Sequence, residues 1–319
     1  MDPFPALLAC PACGGELADD WACVSCGGQY EVQDGIPALL KPPDARTRAV
    51  RDFYDQAPFP GYPSNLSLDW LRARASRSPF PAMLDQALAA DARIVEIGCG
   101  TGAMSLYLCR ANRLVVGADI SRNALRIASG AARRCGIGNV QFVETDIASL
   151  GLRHEAFDLV YSSGVLHHTQ DPEAAFHRVA RLARPGGIIV IGLYNAFARI
   201  PLRVRRGASR LLGQRWICAD PVLRDRKSEP GRHAAWLRDQ YRHPEEHRHT
   251  LAEVQRWFAN SGIDYIRAYP SALLDRREGG LLDPEDDAWR VEGWMAQIGW
   301  MRQLGREGGL FVTVGRRHI

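Results

Sequence analysis

The sequence predicts an α/β fold, a doubly wound and mostly parallel sheet of seven strands, and three observations carry that reading. From Arg93 onward short apolar, β-rich runs alternate with helical ones. A glycine-rich turn, Gly98-Cys99-Gly100-Thr101-Gly102, follows the first of these runs directly. The second and third runs close on acidic residues, Asp119 and Asp146, at the strand ends where open α/β sheets present their functional groups.

The elements follow in order. Ile94 to Ile97, Leu114 to Ala118, Val140 to Val143, Phe157 to Tyr161 and Ile188 to Leu193 are the first five strands, Ile263 to Ala268 is the sixth and Leu310 to Gly315 the last. One helix is well punctuated: Asp171 can cap it, Pro172 fits its first turn, Ala175, Phe176, Val179 and Leu182 or Ala183 make its buried stripe, and Pro185-Gly186-Gly187 ends it. Thr250 can cap another helix over Leu251 to Asn260.

Length and composition bound the rest. The chain has 319 residues, 46% hydrophobic and 24% charged, which is enough apolar material for one large domain with a smaller attachment and excludes a collagenous or disordered chain. The net charge of +4 does not by itself argue for nucleic acid. No basic and apolar leader opens the sequence, and its most apolar stretch, Ile188 to Leu202, is broken by Asn195, Arg199 and Pro201. The expectation is a soluble, cytoplasmic protein with no transmembrane segment.

The predicted organisation is a small metal-binding module over residues 1–40, a linker with an aromatic-proline segment over 41–79, and a catalytic domain over 80–319 with insertions at about 195–249 and about 270–308. Cys10-Pro-Ala-Cys13-Gly-Gly and Cys23-Val-Ser-Cys26-Gly-Gly are two copies of one motif. Four thiolates held on such turns suit a tetrahedral, structural Zn2+, needed because so short a segment cannot hold itself with an apolar core. Two disulfides or an iron centre are the alternatives. The linker stretch Phe53 to Pro63 is too rich in proline for regular structure, and Tyr54, Phe59 and Tyr62 in it are candidates to cover a cofactor or acceptor pocket.

At the first strand, glycines let backbone approach a ligand, and an acidic residue, Glu96, stands two places before the first of them. The spacing Gly-x-Gly-x-Gly differs from the turn that aims a helix N-terminus at a pyrophosphate, so a cofactor without phosphate suits it. Asp119, followed by Ile120, can take both ribose hydroxyls, and Asp146, followed by Ile147, can accept from an adenine amino group.

These features, with Phe157-Asp158-Leu159-Val160, Gly164-Val165-Leu166-His167-His168 and Arg184-Pro185-Gly186-Gly187, resemble class I S-adenosylmethionine-dependent methyltransferases across roughly residues 80–195. The resemblance implies a Rossmann-like sheet and S-adenosylmethionine as cofactor. It implies that Gly98, Cys99, Gly100 and Gly102 line the methionine part, that Glu96 orients the loop or meets the amino group through water, and that Asp119 with Ile120 holds the ribose. Asp146 with Ile147 would hold adenine, and Ser163, just after the fourth strand, joins the cofactor set. Residues 1–40 resemble the small zinc-binding activators of tRNA, rRNA and translation-factor methyltransferases, in which a Gly-Ile-Pro segment like Gly35-Ile36-Pro37 follows the ribbon.

Methyl transfer needs alignment first and a base only where the acceptor must lose a proton. His167 and His168 are the base candidates, with packing the competing role. Residues 162–165, Ser-Ser-Gly-Val, lack the Asn/Asp-Pro-Pro-aromatic turn of exocyclic-amine and glutamine methyltransferases, and Cys218 lacks the flanks of a cytosine-carbon nucleophile. The Gly-Val-Leu-His-His form looks more like enzymes acting on small organic molecules, including quinone-type acceptors, at O, N or C. Tyr194, Tyr241 and His243 join Tyr54, Phe59 and Tyr62 as acceptor-contact candidates. Arg199, Arg203, Arg206 and Arg210 form a basic stripe if Pro201 starts a helix, with Val204, Ala208 and Leu211 on another side. That stripe reads as a site for an anionic acceptor, RNA phosphate or a membrane surface, or as the solvated outer face of a packed helix; with the ribbon it is the basis of an alternative RNA partner, and a scaffold that binds cofactor without turnover is a second alternative. The cluster of His233, His243, His247 and His249 reads as a polar loop before Thr250, and Trp289, Trp294 and Trp300 as part of a packed, lid-like helix.

Overall fold

The computed structural model describes residues 3–42, 45–55, 61–110, 112–212, 220, 222–223, 236–237, 241, 246–272, 280–285, 290–304 and 308–319. The chain divides into two compact units, one of Met1–Ser162, Ala174–Val190 and Arg316–Ile319, the other of Ser163–Glu173 and Ile191–Gly315.

All seven expected strands form: β3 (Arg93–Ile97), β4 (Leu114–Asp119), β5 (Val140–Thr145), β6 (Phe157–Ser163), β7 (Ala183–Tyr194), β8 (Ile263–Tyr269) and β9 (Leu310–Arg317). Two short strands precede them, β1 (Val32–Gln33) and β2 (Ile36–Leu39). In the first unit the order is β1-β2-β5-β4-β3-β6-β7, and in the second β7-β9-β8. The pairings β2–β5, β5–β4, β4–β3 and β3–β6 are parallel. Strands in such a sheet are covered on both faces, which is why Ile94, Val95, Val115, Val116 and Val143 are fully buried in unbroken apolar runs.

The helices of the first unit are α1 (Ala45–Asp55), α2 (Leu68–Ala75), α3 (Pro79–Ala87), α4 (Ala103–Leu108), α5 (Arg122–Arg134) and α6 (Pro172–Ala180), the last beginning in the second unit. Helix α5 buries Ala124, Leu125, Ala128, Ala131 and Ala132 at helical spacing. That stripe shares a cluster with Phe142 of β5 and Ile36 of β2, so the segment after the cysteine motifs contributes to the same core as the sheet. The second unit holds α7 (Ile200–Leu212), α8 (Leu251–Asn260) and α9 (Arg290–Gln303), and Trp257, Phe258, Trp300 and Phe311 are buried in it. Thr250 caps α8 in a reciprocal capping box with Glu253, as its spacing predicts. Among the described residues no helix is long and apolar enough to cross a membrane.

Three local expectations are corrected. Phe53, Tyr54 and Asp55 are the last residues of α1, because the prolines that bar a helix begin only at Pro58. Helix α6 ends at Ala180, and Pro185-Gly186-Gly187 lies inside β7. Gly187 is needed there for approach to the neighbouring chain, since a Cβ on it would sit 3.0 Å from the Phe157 carbonyl oxygen. The expected basic stripe is split: Arg199, just before α7, is 1% exposed and Arg203 is exposed, while Val204 and Leu211, expected on a packed side, are 65% and 86% exposed. Glu246, 47 residues from Arg199 in sequence, supplies the acid that segment 195–217 lacks and pairs with Arg199.

Candidate cofactor and metal sites

Strand β3 delivers Glu96 and the glycine loop to the C-terminal edge of the sheet. Gly98, Gly100 and Gly102 have φ of +72°, +52° and +79°, the left-handed region in which a side chain is strained. Gly102 is also close-packed, since a Cβ there would lie 3.0 Å from Ala128 and Phe142. The loop is pinned by two bonds donated by the Gly98 and Cys99 amides to the Ala118 carbonyl, at 2.7 and 3.1 Å.

Each acid near this loop has a definite partner. Glu96 is buried, and one carboxylate oxygen accepts from the Ser105 amide at 2.7 Å and from the Ser105 hydroxyl, which caps the first turn of α4. Burial pushes its carboxyl up to about 7 against the pull of those bonds. Asp119 accepts from the Gly100 amide at 2.7 Å and the Ser121 amide at 2.8 Å, tying the end of β4 to the loop. Burial raises its carboxyl while the backbone donors oppose the rise. Asp146, just beyond β5, is half-buried and accepts from the Ala148 amide at 3.0 Å; Ile120 and Ile147 are half-buried beside these acids in sequence.

Helix α1 reaches this edge as well. Thr47 donates to Asp146 at 3.4 Å, and Asp55 accepts from the Ser121 hydroxyl at 2.6 Å and the Asn123 amide at 3.2 Å. Tyr54 packs edge-on against Phe53. Tyr62 donates to the Thr101 carbonyl at 2.8 Å, so it buttresses the glycine loop. Phe59 lies outside the described residues, as do His233 and His243. Sequence reasoning missed Ser105, Thr47 and Asp55. Only Ser105 left a trace, a hydroxyl in the first turn of the helix that the loop opens.

In the second unit Ser163 packs against Gly192, where any Cβ would collide with its hydroxyl. His167 and His168 form a buried 3-10 turn with Leu166. The His167 ring lies 3.8 Å from the Tyr194 ring centre and 4.2 Å from His168. The Arg199 guanidinium lies 3.8 Å from the same Tyr194 ring and pairs with Glu246. Arg206 adds a second bond to Glu246 at 2.8 Å. Burial favours the neutral form of Glu246, but the two guanidinium charges outweigh it and hold the carboxyl below its ordinary range. Tyr241 stands apart from the histidines in its bonding, donating to the buried Asp220 at 2.8 Å.

The four N-terminal cysteines converge. Their sulfur atoms all lie within 4.8 Å of one another, with Cys10 to Cys26 at 3.7 Å and Cys13 to Cys23 at 3.5 Å. Sulfurs around a tetrahedral ion with metal–sulfur bonds of about 2.3 Å stand about 3.8 Å apart, whereas a disulfide needs about 2.05 Å. The donor set therefore fits one shared ion. Gly14 and Gly27 follow the two Cys-x-x-Cys turns at φ of +75° and +71°, each donating its amide back to the first cysteine of its pair at 2.8 and 2.9 Å. From this knuckle the chain enters β2, whose Ala38 and Leu39 pair with Glu144 and Thr145, immediately before Asp146.

Comparison with known proteins bears on the same region. Residues 95–191 match the family model described as a methyltransferase domain. An uncharacterized protein of Synechococcus sp. is 28% identical over 252 residues, 70% of this chain and 60% of that protein. A ubiquinone biosynthesis O-methyltransferase of Ralstonia nicotianae is 32% identical over 148 residues, 46% of this chain and 57% of the relative. The chain thus spans less than two thirds of the length of either. The solved [4+2]-cyclase SpnF matches in fold, with a TM-score of 0.50 at 17% identity over 90% of this chain and 100% of its own. The glycine loop, the buried acid before it and the acid closing β4 all fall inside the span that matches the methyltransferase-domain model.

Proposed function

We propose that the protein is an S-adenosylmethionine-dependent methyltransferase acting on a nucleophilic O, N or C atom of a small organic molecule. The observation that carries this reading is the edge of β3, β4 and β5, where three left-handed glycines and the carboxylates of Asp119 and Asp146 meet. Carboxylates without a neighbouring phosphate cradle favour a cationic ligand with ribose and amino groups to bind. When bound, that cofactor supplies an electrophilic methyl group. In this reading Gly98, Cys99, Gly100 and Gly102 bear on its methionine part, and Glu96 acts through Ser105 to hold the loop. Asp119 and Ile120 take the ribose, Asp146 and Ile147 the adenine, and Ser163 completes the set. The quinone-type relative supports a small acceptor.

Of the two histidines, His167 is wholly buried and stacked on Tyr194, while His168 keeps 7% exposure, so proton acceptance falls to His168 and ring packing to His167. Tyr54 and Tyr194, with Tyr241, remain the acceptor-side aromatics. The cysteine cluster is assigned a structural zinc ion, whose reduced thiolates suit the cytoplasm.

The test is to incubate the protein and methyl-labelled S-adenosylmethionine with a source-cell extract and separate small molecules, RNA and protein, with Asp119→Ala as control. Control-sensitive label among small molecules is expected. Label in RNA overturns the acceptor class, and cofactor binding with no label in any pool makes the chain a scaffold.

A further inference from the structure

Helix α7 turns a continuous apolar side to solvent. Ile200, Val204 and Leu211 are 40%, 65% and 86% exposed. At about 100° per residue these three lie within about 40° of one another around the helix axis. Helix α9, in the same unit, does likewise: Trp294, Met295 and Ile298 are 50%, 55% and 49% exposed. The two sets adjoin, because the Trp294 ring meets Phe197, three residues before α7, at 4.9 Å. An apolar patch built by two helices is an interaction surface rather than scattered exposure.

The charge on α7 has one sign. Helix α7 carries Arg203, Arg205, Arg206 and Arg210 and no acid. Glu246 answers Arg199 and Arg206, whereas Arg203 is exposed and has no acidic partner among the described residues. Arg248 is half-buried near this group, and burial followed by the Arg203 charge holds its guanidinium below the ordinary range. Positive charge is therefore in surplus beside the exposed aliphatic row. Arg302 continues it on the exposed side of α9.

We infer that the face formed by α7 and α9 docks on an anionic lipid surface, lying in its interface without crossing it. A row of aliphatic side chains flanked by arginines is the pattern that enters the boundary between headgroups and acyl chains, and a half-exposed tryptophan is the side chain that settles at that depth. Nucleic acid would use the arginines but leave Val204 and Leu211 without an apolar counterpart. The surface goes beyond the methyl-transfer reading and does not depend on it.

The test is co-sedimentation of the full-length protein with vesicles of phosphatidylcholine alone or of phosphatidylcholine mixed with phosphatidylglycerol. Recovery with the anionic vesicles, falling as salt rises, is expected. Arg203→Ala should weaken that partition roughly fivefold, and Val204→Ser with Leu211→Ser by more than about tenfold. These side chains are exposed, so circular dichroism and melting should match the unaltered protein. Absent binding to anionic vesicles, binding indifferent to all three substitutions, or a dimer in light scattering that Leu211→Ser dissolves would each overturn the inference, the last by assigning the face to a second copy.

Discussion

Asp119 holds Gly100 and Ser121 by their amides with one carboxylate, the group to which the proposed function gives the ribose. Its replacement by Ala should weaken S-adenosylmethionine binding about 10- to 100-fold, the range for lost hydrogen bonds to a charged group, measurable by titration calorimetry. Glu96 gives a pH signature instead. Its carboxyl is raised to about 7, above the ordinary value of 4.5, so the folded state holds the proton more tightly than the unfolded chain. That contribution is complete below about pH 4.5 and is lost as pH rises through about 7. The stability of the unaltered protein relative to Glu96→Gln should therefore fall by about 2 kcal/mol between roughly pH 5 and 8 in urea titrations. A difference that stays flat with pH would show that Glu96 is ionised throughout. At this scale the acids and glycines are legible because strand ends and turn chemistry announce them. Ser105 and Asp55 are less so, because a side chain that partners an acid leaves no period or spacing in the sequence.

At the scale of elements, periodicity finds the strands and helices but not which side of a helix faces inward. Every strand from β3 to β9 follows from apolar runs, yet beside α7 Arg199 is buried while Val204 and Leu211 on the helix face solvent. The deciding partner, Glu246, lies far along the chain in a stretch that reads as a polar loop. Arg199 and Glu246 are both buried, so removing Arg199 takes away the more deeply buried of Glu246's two cations and leaves Arg206 alone against it. Arg199→Met should cost about 3–5 kcal/mol in chemical denaturation, and adding Glu246→Gln should recover part of it. An Arg199→Met protein as stable as the original would mean that the Tyr194 stack and the Gly308 carbonyl contribute the burial without the charge pair.

On the scale of the whole molecule, the cysteine knuckle joins the sheet through β2. The resemblance to separate activator subunits says nothing of that pairing, but here Leu39 lies beside Thr145, one residue from Asp146. Stripping the metal with a strong chelator, or replacing Cys10 by Ser, should lower the melting temperature by more than about 5 °C, as expected when metal binding is part of the folding free energy. It should also weaken S-adenosylmethionine binding, because the edge beside β5 is lost. A melting temperature unmoved by metal removal would sever the knuckle from the rest of the fold.

The same pairing has a consequence for how the chain is made. On the ribosome, β2 is synthesised about a hundred residues before the β5 residues it will lie beside. Until then its polar edge has no strand to receive it, and an unpaired edge invites the wrong neighbour. With the proposed ion bound, the knuckle is local in sequence and can form as soon as residue 26 is clear, giving the waiting strand a fixed root. Metal supply during translation, rather than metal content of the finished protein, then governs yield: expression in zinc-depleted medium should give aggregated protein that later addition of zinc does not rescue.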